Sequence, residues 1–205
     1  RAAIDAAEKA FAGWKATNVV RRAEILRGAL HLMRERSREI AAVLTSENGK
    51  TLVESSAEIN AAVREMDYQI SQGIRAMGET VPLERSGVFG YSVREPLGVV
   101  SVISPWNFPF NVPGRKCVPA LVAGNTCVFK PASLTPRTGI EFVRLFADAG
   151  LPAGVLNLVT GSGRTVGTPF INDARIKAVS FTGSTEVGIQ IQEVAAPRLV
   201  RTQLE

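Results

Sequence analysis

The chain is poor in the residues that most often carry chemistry unaided. Its 205 residues include two cysteines, Cys117 and Cys127, and one histidine, His31. Two cysteines make no disulfide framework and suit a reducing, cytoplasmic setting. A single histidine supplies neither a Ser/His/Asp set nor a histidine-built metal site, so no metal is expected. His31 falls inside a helical stretch and reads as a packed or surface residue. There is no run of about 18 apolar residues and no signal-like opening, so no membrane partner is expected. A block of like charge is also missing. The net charge is +5, but the densest run, Arg34-Glu35-Arg36-Ser37-Arg38-Glu39, interleaves both signs. That is a solvated helix face rather than a nucleic-acid surface.

The first 75 or so residues carry helical periodicity. Ile4, Ala7, Phe11 and Trp14 share one face. A second helix runs from about Asn18, with Val20, Ile25, Leu26, Leu30 and Met33 inward. A third spans Ser37 to about Glu47, and Asn48-Gly49-Lys50 reads as the turn that ends it. A fourth starts near Thr51, carries Leu52, Ile59, Val63 and Met66, and runs to about Met77-Gly78. Residues 79 to 97 then change character. Thr80 to Leu83 and Gly87 to Arg94 suggest a hairpin of two short strands. A hairpin alone is marginally stable, so it should pack on a domain or subunit partner.

From Val99 strands and helices alternate. Strands are expected at 99–104, 126–130, 155–159, 177–181 and 199–204, and helices near 110–123, 136–149, 164–172 and 185–196. Thr135-Pro136 should cap the helix that follows it, and Gly150 should end it. Strands this apolar imply a parallel sheet covered on both faces, with its chemistry at the strand C-terminal ends.

Several residues sit where such an edge would fall. Trp106 and Asn107 follow the first strand. Asn107 offers an uncharged donor suited to a developing oxyanion, or it simply forms the turn. Lys130 ends the second strand and suits a phosphate or ribose hydroxyls, or it snorkels. Gly161-Ser162-Gly163-Arg164-Thr165-Val166-Gly167 has GxGxxxG spacing, one residue longer than the dinucleotide fingerprint, and serves a phosphate contact or a plain βα turn. Phe181-Thr182-Gly183-Ser184-Thr185-Glu186-Val187-Gly188 puts glycine and hydroxyls at a helix start, an anion site or a simple cap. Glu205 would end the fifth strand as a candidate general base, or as a solvated carboxylate. Lys116 lies in the first crossover beside Cys117, where a solvated lysine is the plain reading. Cys117 and Cys127 lie among apolar residues and read as core.

Taken together, these residues resemble the aldehyde dehydrogenase superfamily. Pro105-Trp106-Asn107-Phe108-Pro109, Pro119-Ala120-Leu121 through Gly124-Asn125-Thr126, Lys130-Pro131-Ala132-Ser133, Phe181-Thr182-Gly183-Ser184-Thr185 and Leu204-Glu205 stand in the family's order and spacing. The resemblance implies an α/β variant Rossmann domain: N-terminal helices over 1–78, an oligomerisation hairpin over 79–97, and an NAD(P)-binding core over 98–205, with the catalytic domain outside this chain. It implies oxidation of an aldehyde, in the flavour of the semialdehyde dehydrogenases, to an acid through a cysteine thiohemiacetal and thioester. Asn107 then matches the oxyanion asparagine, Glu205 the general base and Lys116 a proton-relay lysine. The cofactor would be held by Ser104, Pro105, Trp106, Asn107, Lys130, Pro131, Ala132, Ser133, Gly163, Gly167, Phe181, Gly183, Ser184 and Val187.

Two departures from the family pattern matter. The family's nucleophilic cysteine lies past the glutamate, and neither Cys117 nor Cys127 matches it. The chain also opens inside a helical pattern and stops at Glu205, so a longer protein is expected around it, and these residues alone should not perform the acyl chemistry. The second departure is Ser133, where many NAD-preferring members carry Glu. Without that carboxylate, NADP should be accepted beside or ahead of NAD. A non-catalytic dinucleotide-binding module is the alternative reading. An acylating or phosphorylating relative is a third, which Glu205 argues against.

Overall fold

The computed structural model describes residues 1–76 and 78–205. The helical head comprises α1 (Ala2–Ala16), α2 (Val19–Glu35), α3 (Ser37–Asn48) and α4 (Leu52–Arg75). Local chemistry sets their ends. The Asn18 side chain accepts the Val20 N–H at 2.8 Å, and Thr51 with Glu54 forms a reciprocal capping box at the start of α4. Gly49, at φ +86°, closes α3 in the left-handed turn that favours glycine. Val20 and Leu52, expected inward, are 51% and 47% exposed. Both sit in the first turn of their helices, ahead of the packed face. The expected end of the fourth helix falls partly on Met77, outside the described residues.

Two residues per strand make the hairpin, β1 (Thr80–Val81) antiparallel to β2 (Gly90–Tyr91). It is shorter than the sequence suggests, and it leaves Val81, Leu83, Phe89, Tyr91 and Val93 exposed.

The main sheet contains β3 (Val99–Ile103), β4 (Thr126–Lys130), β5 (Leu156–Leu158), β6 (Ile176–Phe181) and β7 (Arg201–Leu204). All its pairings are parallel, in the order β5-β4-β3-β6-β7. The crossovers are α5 (Asn111–Val122), α6 (Pro136–Asp148), α7 (Thr168–Asn172) and α8 (Thr185–Ala195). The helix expected over 164–172 is a π-helical turn at Gly163–Gly167 followed by the short α7. Glycine at both ends of that turn weakens regular helix. The last strand starts at Arg201 instead of 199, because Leu199 sits at φ +53°, incompatible with extended backbone.

Side-chain alternation sends the two faces of the sheet to different cores. Val100, Val102, Cys127 and Phe129 pack against the layer formed by α2 to α6. Val99, Val128, Val179 and Phe181 pack against Ile4 and Ala7 of α1, Phe170 of α7 and Ile191 of α8. The head is tied to the crossover: Trp14 Nε1 donates to the Leu121 carbonyl at 3.0 Å, and Arg22 Nε to that of Val122 at 2.9 Å. Strand order therefore turns around at β3, with β4 and β5 to one side and β6 and β7 to the other. Open parallel sheets bind ligands at such a switch point, outside the strand C-termini.

Candidate active site

The loop Ser104 to Phe110 leaves the sheet at the switch point. Ser104 is 3% exposed, and its hydroxyl has no partner among the described residues. Pro105 is half-buried, while Trp106, Asn107 and Phe108 are exposed. An exposed amide on this edge is free to donate to a ligand. Glu58, far upstream on α4, accepts the Phe110 and Asn111 N–H groups at 2.9 and 3.1 Å through Oε1. Its Oε2 pairs with Lys50 Nζ at 2.5 Å.

Across the switch point, β6 leads into the start of α8. The Ser184 hydroxyl accepts the Val187 N–H at 3.4 Å, so it caps the helix. Gly183 is required by packing. A Cβ there would stand 2.5 Å from Cζ of the Phe181 ring. Glu205 follows β7, its Oε2 accepting from the Thr182 hydroxyl at 3.0 Å. A cleft of about 330 Å³ joins Glu205 to Phe181, Gly183, Ser184 and Thr185. A second, of about 400 Å³, joins it to Lys116, Gln203, Gln69 and Arg115.

Lys116 is buried, against the reading of it as merely solvated. It donates to Ser180 Oγ at 3.2 Å and Gln203 Oε1 at 3.3 Å, and its Nζ lies 4.0 Å from Glu205 Oε2. Burial lowers its pKa below the usual lysine value, and the Glu205 charge offsets part of that fall. The sequence held no sign of Ser180 and Gln203 as its partners, since they meet Lys116 only through the sheet register.

A second group forms at the ends of β4 and β5. Lys130 is 5% exposed, and its ammonium donates to the Pro131 carbonyl at 3.1 Å. Burial lowers its pKa as well. Ala132 is half-buried and Ser133 exposed. The Ser133 hydroxyl donates to the Gly161 carbonyl at 3.1 Å, joining the two loops. A Cβ on Gly163 or Gly167 would meet no atom within 4 Å, so that turn is open above its backbone. A buried ammonium bound, among the described residues, by a neighbouring carbonyl, an orphan hydroxyl at Ser104 and a glycine turn before α8 fit a dinucleotide.

Both cysteines lie in the core, each with no solvent exposure. Burial, then the adjacent Cys127 thiol, pushes the Cys117 thiol well above its ordinary range, the reverse of an activated nucleophile. His31 pairs with Glu35 one turn on at 3.2 Å, on the surface. Among the described residues no group of three or more His, Cys, Asp or Glu could hold a metal ion, and no helix is long and apolar enough to cross a membrane.

The strand order and the ligand-facing edge define a Rossmann-type nucleotide-binding fold. Within that class the chain belongs to the aldehyde dehydrogenase family, whose sequence model matches residues 1–205. It is 41% identical over 205 residues to the NADP(+) succinate-semialdehyde dehydrogenase of Escherichia coli, covering all of this chain and 42% of that enzyme. It is 42% identical over 203 residues to the alpha-ketoglutaric semialdehyde dehydrogenase of Bacillus subtilis, covering 99% of this chain and 42% of that protein. A crystal structure described as an E. coli NADP-dependent enzyme superposes with a TM-score of 0.97 at 41% identity, over all of this chain and 43% of that one. The chain thus spans less than half the length of these relatives.

Proposed function

We propose that this chain is the cofactor-binding part of an NAD(P)-dependent aldehyde dehydrogenase that oxidises a small semialdehyde to its acid. The observation that carries the reading is Glu205, which lines both the cleft at the Gly183–Ser184 turn and the cleft holding Lys116. A carboxylate so placed can collect a proton beside the cofactor site and pass it to a base behind it.

In this reading a cysteine outside these residues attacks the aldehyde, and the Asn107 amide donates to the oxygen as it becomes anionic. A dinucleotide bound at this edge would supply the hydride acceptor, and the cysteine would then carry the substrate as a thioester. Glu205 then takes a proton from water as the water attacks the thioester carbon. Lys116 Nζ, 4.0 Å from Glu205 Oε2, is the next group along the path and would relay that proton onward, which frees Glu205 for the next turnover.

The dinucleotide would rest on Ser104, Pro105 and Trp106 at the switch point, and on Gly183 and Ser184 with Phe181 and Val187 behind them. Lys130 to Ser133 would meet the ribose, with Gly163 and Gly167 alongside. Ser133 brings a hydroxyl where a carboxylate would repel a 2′-phosphate, and Lys130 adds a positive charge nearby, so NADP is the favoured form. The E. coli relative named for NADP(+) supports this cofactor, and relatives named as semialdehyde dehydrogenases support the substrate class. The exposed apolar hairpin of residues 79–97 is the surface through which copies of the enzyme associate. Free buried cysteines agree with a cytoplasmic setting.

The test is NADPH formation from succinic semialdehyde by the full-length enzyme, compared with these 205 residues alone. Turnover by the former, abolished about 100-fold or more in Asn107→Ala and Glu205→Gln, is the expected result. Aldehyde oxidation by the 205 residues alone overturns the placement of the nucleophile, and cofactor binding without turnover in the full-length protein returns the chain to a non-catalytic module.

A further inference from the structure

We infer that Asn48, Lys50 and Glu58 are positioning residues for the Asn107 amide, an inference that rests on the aldehyde dehydrogenase reading. Asn107 is exposed, so it has no packing of its own to fix it. Its oxyanion geometry must be imposed through the backbone on either side, and an error of about 1 Å in such a group can cost 100-fold in rate.

The junction of α3 and α4 supplies that constraint at four points. Asn48 Nδ2 donates to the Trp106 carbonyl at 2.6 Å, one residue before Asn107. Lys50 Nζ stands 3.9 Å from the ring centroid of Phe108, one residue after it. Glu58 Oε1 takes the N–H groups of Phe110 and Asn111, which open α5. Phe110, at the N-cap position, has no side-chain cap of its own, so a carboxylate from another helix does the capping.

Charge explains why the set works as a unit. The Glu58 side chain is only 1% exposed, and a buried carboxylate is tolerated only when its oxygens are satisfied. Here the Lys50 ammonium and two N–H donors satisfy it together. Lys50 is thereby fixed over Phe108, so the pair that stabilises the carboxylate also orders the ring beside Asn107. The turn that ends α3, as the sequence suggests, also serves as a clamp on the oxyanion loop.

The experiment uses Glu58→Gln, Lys50→Met and Asn48→Ala in the full-length enzyme, each alone and with Asn107→Ala. Measured are kcat, the aldehyde KM, the NADP Kd and amide hydrogen exchange over residues 105–111. We expect kcat to fall about 10- to 100-fold, with a clearly smaller rise in NADP Kd because Trp106 borders the cofactor, and exchange to rise over 105–111 but not in β3 or β4. In the Asn107→Ala background each loss should shrink to under about threefold, because groups acting through one residue are not additive. An undiminished loss in that background, a matching loss of NADP affinity, or unchanged kcat and exchange overturns the inference. Should the buried-charge variants fail to fold, Asn48→Ala removes no charge and decides alone. If the unmutated enzyme oxidises no aldehyde, the functional reading fails, while exchange over 105–111 still decides whether the clamp holds the loop.

Discussion

Lys116 and Glu205 come from opposite ends of the sheet sequence, yet Nζ and Oε2 stand 4.0 Å apart, with the lysine buried and the carboxylate exposed. Burial is the larger influence on Lys116 and lowers its pKa from the usual 10.5. Between that lowered value and 10.5 the unfolded chain holds the extra proton, so stability rises with pH through this window. Lys116→Met removes the buried charge. Its unfolding midpoint should equal or exceed that of the unmutated chain at neutral pH, with the margin shrinking toward pH 10.5. The same variant should slow thioester hydrolysis about 10- to 100-fold, as expected for loss of a proton-relay group beside the general base. Thermal unfolding across pH and single-turnover kinetics check the two halves, and a midpoint that drops sharply at neutral pH refutes the first.

Ser133 makes a direct forecast about cofactor choice. Its hydroxyl reaches the Gly161 carbonyl, and the buried Lys130 ammonium lies at the preceding strand end. In Ser133→Glu a carboxylate would repel a 2′-phosphate and accept from free ribose hydroxyls. The ratio of kcat/KM for NADP over NAD should fall at least about tenfold, equivalent to roughly 1.4 kcal/mol. Steady-state kinetics with both cofactors decides it.

How far these roles could be read from sequence depends on whether the signal is local. The strand runs at 99, 126 and 177, the Gly49 and Gly150 helix ends and the edge position of Lys130 are local patterns, and the fold follows them closely. Leu199 escaped because nothing in its neighbours announces a left-handed backbone. Ser180, Gln203, Glu58 and Lys50 escaped for another reason. Each acts across the fold, through strand register or helix packing, and one chain carries no mark of which distant residues will meet. Thr135 is the instructive error. It occupies the N-cap position of α6 as expected, but its side chain makes no capping bond, and its buried hydroxyl has no partner among the described residues.

Gly183 tests the packing beneath the cofactor turn. A methyl group there must displace the Phe181 ring, whose nearest atom would be 2.5 Å away, and Phe181 is only 5% exposed. Gly183→Ala should lower stability by about 1–3 kcal/mol, the usual cost of overpacking, and weaken NADP binding by disturbing the α8 N-terminus. Denaturant unfolding with fluorescence titration of the cofactor reads both, and an unaffected midpoint would show that the ring yields freely.

The cap that Thr135 fails to provide comes from Glu47, 88 residues upstream near the end of α3. Its carboxylate accepts the Arg137 N–H at 2.6 Å, the Thr138 N–H at 2.8 Å and the Thr138 hydroxyl at 2.7 Å. Those are orphan donors at the positive end of α6, where a carboxylate is doubly favoured. Glu47→Ala should therefore destabilise the chain by about 1–2 kcal/mol, the range for a lost helix cap. Glu47→Gln keeps an acceptor oxygen and should lose less. Thr135→Ala should cost little, since its hydroxyl makes no bond to lose. Equilibrium unfolding of the three variants gives the order Glu47→Ala, Glu47→Gln, Thr135→Ala from most to least destabilised. The reverse order would return the cap to Thr135 and detach α3 from the helix that carries the Lys130 turn.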